Sequence, residues 1–198
     1  MSARRIVLAT RNKGKVAEIS EILAGLPVEF VGLEVFPHLG ELIEDGATLE
    51  ENAFKKAQQT YQATGLPSLA DDSGLEVFHL GMRPGVISAR YAGEHVTYEQ
   101  NNAKLLAELE GVPLSQRVAR FRCVALLFDG TMEKMTTGIC HGVITTAPSG
   151  HGGFGYDPIF QPKGYDRTFA ELSISIKNSM SHRAKAFLAM RSFLEVYV

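Results

Sequence analysis

The chain has no tryptophan, only two cysteines in 198 residues, and no long apolar run. Each shortage excludes something. Cys123 and Cys140 form no C-x-x-C pair and fit no zinc spacing, so small core thiols in a reducing, cytoplasmic compartment are the expectation. The continuous apolar segments, Ile6 to Ala9 and Val124 to Phe128, fall far short of the ~18 residues that a membrane span needs. The first of these is also too short for the core of a signal peptide, which argues against secretion. A surplus of either charge is missing too. Twenty Lys+Arg against 22 Asp+Glu leave a formal net charge of -2, so no global positive field exists to hold nucleic acid or an anionic membrane surface. Any anion this chain binds must be met by a local cluster.

What is present is an ordinary globular composition, 45% hydrophobic and 21% charged, which predicts a single domain over residues 1–198. Such a length buries roughly two-thirds or more of the unfolded surface and needs no disulfide or structural metal to fold. Ile6 to Ala9 reads as a strand buried on both faces, leading through the polar loop Thr10 to Lys15 into a helix with Val16, Ile19, Ile22, Leu23 and Leu26 on its apolar stripe. Thr48 and Glu51 form a capping box for a second helix that stops at Gly65. Pro67 to Ala70 and Leu75 to Phe78 read as short strands flanking a turn at Asp71-Asp72-Ser73-Gly74. A third helix starts at Thr97, with Gln100 three residues on, and stops at Gly111. Val118 to Phe128, Asp129-Gly130 and Thr131 to Thr146 read as a hairpin on a type I′ turn. A last helix from near Ser179 or Ser181 runs through Leu194. The order β-α-β-α-β-β-α implies one α/β unit with a mixed sheet.

Several segments carry chemistry-bearing residues, and each has a plainer alternative. The loop Thr10 to Lys15 lies at a helix N-terminus, where backbone N–H groups, the helix dipole, Lys13 and Lys15 favour an anion, although it lacks the Walker A glycine spacing. Asp71 and Asp72 repel each other unless a cation or water relieves them; the alternatives are a magnesium site and a solvated Asx-turn. Glu44 alone is a loop acid, and Asn52 and Lys56 share a helix face partly inside the apolar stripe, where a lysine either snorkels or meets a buried anion. Gly150 to Gly155 matches G-x-G-x-x-G, but no helix follows, so the Rossmann reading fails. What remains is a glycine-rich turn with Phe154 and Tyr156 as stacking surfaces for a flat base and Asp157 as an acceptor, or else a turn packed by two aromatics. Lys177, His182 and Arg183 place cations near the start of the last helix, where helix ends usually prefer acids.

Taken together, TRNKGK at Thr10 to Lys15, ENAFKKA at Glu51 to Ala57, ADDSGL at Ala70 to Leu75, GGFGYDPIF at Gly152 to Phe160 and SHR at Ser181 to Arg183 resemble the inosine triphosphate pyrophosphatase family. RPGVISARYAG, at Arg83 to Gly93, is also similar. The resemblance covers Ile6 to Met190 and implies an α/β fold with an elongated mixed β-sheet flanked by helices, two lobes around a central cleft, and a homodimer. It implies Mg²⁺-dependent hydrolysis of deaminated purine nucleoside triphosphates such as ITP, dITP and XTP to the monophosphate and pyrophosphate. By the same resemblance Asp72 is the proton acceptor and a metal ligand, Glu44 and Asp71 assist the metal, and Ser73 touches substrate. Thr10, Arg11, Asn12, Lys13, Gly14, Lys15 and Lys56 hold the triphosphate; Phe154 stacks on the base; and Gly155, Tyr156, Asp157, Lys177, His182 and Arg183 complete the nucleoside pocket.

The chemistry is coherent with that assignment. Lysines and Mg²⁺ neutralise a triphosphate while a carboxylate takes a proton from the attacking water. Hypoxanthine and xanthine carry a 6-oxo acceptor where adenine has an amino donor, so pocket donors lose their partner with ATP. Arg11, Met82-Arg83 and Ser175-Ile176 depart from the family pattern without removing a proposed catalytic group. Two competing readings remain: a pyrophosphatase of the Maf-like type acting on pyrimidine or modified nucleotides, and a non-catalytic purine-nucleotide sensor.

Overall fold

A computed structural model describes residues 4–197. Seven strands form one mixed sheet in the order β2-β1-β3-β5-β6-β7, with β4 paired to β3. The strands are β1 (Arg4–Leu8), β2 (Val28–Gly32), β3 (Ser68–Val77), β4 (Arg83–Gly85), β5 (Val118–Phe128), β6 (Glu133–Ile144) and β7 (Phe160–Pro162). The α-helices are α1 (Lys13–Ile22), α2 (Leu49–Thr64), α3 (Tyr98–Glu108), α4 (Ile174–Met180) and α5 (His182–Tyr197). β1 runs parallel to both β2 and β3, whereas β3–β4 and β6–β7 are antiparallel. The sheet is therefore mixed, as the sequence implies, and the fold is α/β. Among the described residues no helix is long and apolar enough to cross a membrane.

The chain divides into two compact units. The first holds the chain up to Asp72, Cys123–Gly138 and everything from His182 onward. Its core joins Ile6 and Leu8 of β1, Ile19 of α1, and Phe187, Met190 and Leu194 of α5, the last three spaced as one face of a helix. The buried stripe of α2 includes Leu49, Ala53 and Ala57, but also Asn52, Lys56 and Thr60. Its N-terminus is capped by Thr48, whose hydroxyl accepts the Glu51 N–H at 3.1 Å, while Glu51 reaches back to the Ala47 N–H at 2.7 Å. Gly65 closes it in the left-handed conformation, φ 67.

The second unit comprises Ser73–Arg122 and Ile139–Ser181. Leu75, Val77, Leu105, Leu109, Ile144, Tyr156 and the ring cluster of Phe121, Phe160 and Phe169 fill its core. Both halves of a capping box start α3: the Thr97 hydroxyl accepts the Gln100 N–H, and the Gln100 side chain accepts the Thr97 N–H at 2.8 Å. Arg117, buried, donates to the carbonyls of Leu109, Val112 and Thr145 and so serves the chain just beyond the C-terminus of α3.

Three sequence expectations change. The two short strands around Asp71-Asp72 are one continuous strand, β3, because cationic partners receive the carboxylates and no solvated turn is needed. The β5–β6 link spans Asp129 to Met132 instead of a two-residue turn, since the Asp129 carboxylate accepts the N–H groups of Thr131 and Met132. A separate helix, α4, precedes the last one; Ser173 caps it, and Ser181 in an extended conformation ends it.

Candidate active site

Side chains alternate faces along a strand, so neighbouring Asp71 and Asp72 on β3 meet different partners. The Asp71 carboxylate lies 3.1 Å from the Lys15 ammonium and 3.2 Å from the Arg183 guanidinium. Arg183, in the first turn of α5, also pairs with Glu18 of α1 at 2.6 Å and is only 2% exposed. Burial alone would raise the Asp71 pKa, but Lys15, Arg183 and Lys56 outweigh it and hold the carboxyl well below the usual carboxylate range. Asp71 is locked as an anion.

Asp72 faces α2. Its Oδ1 lies 2.9 Å from the Lys56 ammonium, and its Oδ2 accepts the Asn52 amide at 3.3 Å. Lys56 also donates to the Asp71 carbonyl at 2.6 Å and pairs with Glu44 at 3.0 Å. Burial pushes the Asp72 carboxyl above its ordinary pKa despite the pull of Lys56 and Lys15. For Lys56 the balance reverses: burial would lower it, yet Asp72, Glu44 and Asp71 hold it well above its usual value. The spacing of Asn52 and Lys56 on a buried stripe thus resolves into an anion partner, not snorkelling.

The polar loop before α1 is ordered by its own side chains. The Asn12 carboxamide caps α1 by accepting the Lys15 N–H at 3.2 Å, and the Thr10 hydroxyl accepts the Asn12 N–H at 3.2 Å. Lys13 and Arg11 are exposed, and the Arg11 guanidinium donates to the Leu39 carbonyl. Gly14 follows in the first turn, and His182 is buried at the start of α5. These groups, with Glu44, Lys56, Asp71, Asp72 and Arg183, all belong to the first unit. Four carboxylates there, Glu18, Glu44, Asp71 and Asp72, face the three cations Lys15, Lys56 and Arg183. A polyanion held at this cluster needs further positive charge.

The second unit carries Ser73, half-buried on β3, and the turn Gly153 to Asp157. Gly153 has φ 72, and a Cβ there would run into the Asp157 carboxylate. That carboxylate accepts the Phe154 N–H at 2.8 Å and the Lys177 ammonium at 2.5 Å. The same ammonium lies 4.9 Å from the centre of the half-buried Phe154 ring. Gly155 continues the turn in the left-handed conformation, φ 64. Tyr156 differs from the expectation of a stacking surface: it is 5% exposed, packs in the core, and donates its hydroxyl to the Ser88 carbonyl at 2.8 Å. Arg183 gives its guanidinium to Glu18 and Asp71.

Among the described residues, no three His, Cys, Asp or Glu side chains converge as a cation cage. Asp71 pairs with Lys15 and Arg183. Glu44 and Asp72, however, both lie within 3.0 Å of one ammonium, so a single cation bridges them. Two hard carboxylates fit magnesium, which rarely takes an all-protein cage. Sequence reasoning missed Glu18, the buried partner of Arg183, and gave no role to Asn52, which holds Asp72. The signal for Glu18 was an acid three residues after Lys15 and beside the apolar Ile19 on the same helix.

A sequence model of the Ham1 family matches residues 6–193. A Geobacter sulfurreducens protein named dITP/XTP pyrophosphatase is 52% identical over 191 residues, covering 96% of each chain. A Streptomyces coelicolor protein of the same name is 48% identical over 190 residues, covering 94% of each. The solved structure of a HAM1 protein from Coxiella burnetii superposes with a TM-score of 0.88 at 40% identity, covering 96% of this chain and 98% of that one.

Proposed function

The chain belongs to the Ham1 family, and on that premise we propose that it hydrolyses deaminated purine nucleoside triphosphates, dITP and XTP among them, to the monophosphate and pyrophosphate. The observation that carries this reading is Asp72, a buried carboxylate raised in pKa yet gripped by Lys56 and Asn52 beside a lysine-bearing helix N-terminus. The names of the relatives supply the substrate class.

Water attacks the triphosphate, Asp72 takes its proton, and the α–β anhydride bond breaks to release pyrophosphate. A carboxylate of raised pKa suits that role, since the driving force for taking the proton grows with basicity. Lys15, Lys56 and exposed Lys13 meet the phosphate charge together with N–H groups at the start of α1. Glu44 and Asp72 are the residues that would hold Mg²⁺, which supplies the positive charge that the acid-rich cluster lacks. Asp71 and Glu18 hold Lys15 and Arg183 in place.

Base choice belongs to the aromatic turn. Phe154 offers a stacking face, and the Lys177 ammonium beside it offers donors to a 6-oxo group that adenine lacks. A donor left without its acceptor discriminates by up to ~10⁴ to 10⁵. Two buried thiols suit the cytoplasm, where such a pool would be cleaned.

The test is release of pyrophosphate and monophosphate from ITP, XTP, dITP, GTP, ATP and dTTP, each with Mg²⁺ and with EDTA. Metal-dependent release from ITP and XTP far above GTP and ATP is the expected result. Preference for dTTP would move the assignment to the Maf-like reading, and binding without release to the sensor.

A further inference from the structure

Two adjacent asparagines on α3 are used unequally. Asn101 is satisfied at both ends: it accepts the Ala92 N–H at 2.7 Å and donates to the Ala89 carbonyl at 3.0 Å. Asn102 is 6% exposed and donates to the Gly155 carbonyl at 3.1 Å, while its buried Oδ1 accepts no hydrogen bond. A buried acceptor left unmade costs stability, so for folding alone leucine, of similar size and without polar atoms, would serve better.

What Asn102 holds is the turn that carries Phe154. Asp157 accepts the Phe154 N–H at 2.8 Å, and the Asp157 N–H donates to the Phe154 carbonyl at 3.3 Å. The next carbonyl, that of Gly155, is the one Asn102 takes. Gly155 is in the left-handed region, φ 64, where backbone without a side chain is least restrained. One helical turn before Asn102, Tyr98 sets its ring 6.3 Å from the Phe154 ring with the planes inclined at 43°. The same face of α3 therefore reaches this turn twice.

We infer that Asn102 is a positioning residue, retained against its cost to folding because its hold on the Gly155 carbonyl fixes the Phe154 ring for the purine base. This rests on the reading that Phe154 stacks on the base. The side-chain hydrogen bond of Asn102 goes to the turn that carries Phe154, so its effect falls on recognition of the base.

The experiment compares Asn102→Leu with the unaltered protein by three readouts: KM for ITP, the Ki of inorganic tripolyphosphate as a competitive inhibitor, and the midpoint of thermal unfolding. KM rises about tenfold, the value of one well-placed hydrogen bond, while Ki stays within about twofold and the midpoint does not fall. An unchanged KM, or KM and Ki rising together, overturns the inference. If Asn102→Leu does not fold, Asn102→Ala is read by the same two constants. Phe154→Ala separates the two levels: if it leaves KM for ITP unchanged, the base-stacking reading itself fails, whereas a raised KM there with a normal Asn102→Leu refutes only the role of Asn102.

Discussion

Replacing Asp72 by asparagine tests the chemistry most directly, because the change keeps shape and removes only charge and basicity. Lys56 keeps two acceptors after the change, Glu44 at 3.0 Å and the Asp71 carbonyl at 2.6 Å. Asn52 cannot turn to help, since its Oδ1 already accepts the Gly46 N–H at 2.8 Å. The new amide therefore presents its NH₂ either to the Asn52 NH₂ or to the Lys56 ammonium, and one donor faces another. One such mismatch costs about 1–3 kcal/mol, partly offset because a buried charge is no longer desolvated. Stability measured by urea unfolding should fall by about 1–2 kcal/mol, leaving the fold intact. Hydrolysis of ITP should fall by about 10² to 10⁴, the usual worth of a general base. Binding of ITP in EDTA, measured by calorimetry, should change by less than about tenfold, or ~1.4 kcal/mol, whereas binding in Mg²⁺ should weaken further because the carboxylate that would hold the metal is gone. A folded Asp72→Asn protein that keeps more than about a tenth of kcat would refute Asp72 as the proton acceptor.

Other outcomes follow from the same contacts. Without metal, the Asp72 carboxyl should titrate above the ordinary aspartate value of 3.8, because burial raises it, and added Mg²⁺ should lower it; a metal-free midpoint at or below 3.8, followed by NMR, contradicts the assignment. Glu18→Gln removes one of two carboxylates around the buried Arg183 and should cost about 3 kcal/mol in urea unfolding; a loss below about 1 kcal/mol would show the pair to be dispensable. Asp129, in the β5–β6 link, would be raised by burial, but the N–H groups of Met132 and Thr131 and the Tyr197 and Thr131 hydroxyls bring it down to about 2. Its folded pKa is the lower one, so its contribution is full above the unfolded value of 3.8 and is lost as pH falls toward 2. Discounted for solvent, Asp129→Asn should cost about 1 kcal/mol at neutral pH, and a difference that persists unchanged at low pH contradicts this.

How far the sequence could be read depends on how local the cause is. The ends of α2 and α3 follow from Thr48, Gly65, Thr97 and Gln100, whose bonds close within a few residues. The Asp71-Asp72 turn was misread because its true stabilisers, Lys15, Lys56 and Arg183, lie up to 112 residues away in the chain. Tyr156 looked like a stacking surface beside Phe154, yet its hydroxyl finds the Ser88 carbonyl 68 residues earlier. Phe154 and Asp157 were legible together in one turn and Lys177 joined them only through the family resemblance, whereas Glu18 and Asn102 were not legible, since a single polar residue on an amphipathic helix carries no mark of what it faces.

The pair on β3 shows why two identical neighbours need not share a role. Strand alternation sends the Asp71 carboxylate to Lys15 and Arg183, and that of Asp72 to Lys56 and Asn52. Lys15, Arg183 and Lys56 together overcome the burial of Asp71 and hold its carboxyl well below the usual carboxylate range. Asp72 meets an ammonium already shared with Glu44 and the Asp71 carbonyl, and the divided charge does not offset burial. The carboxylate with fewer claims on it by cations is thus the better base. Had the sequence formed the turn it suggests, both carboxylates would be free to face one cation, and nothing would separate their pKa values. The continuous strand is what gives the two aspartates different partners, as the proposed division between scaffold and base requires.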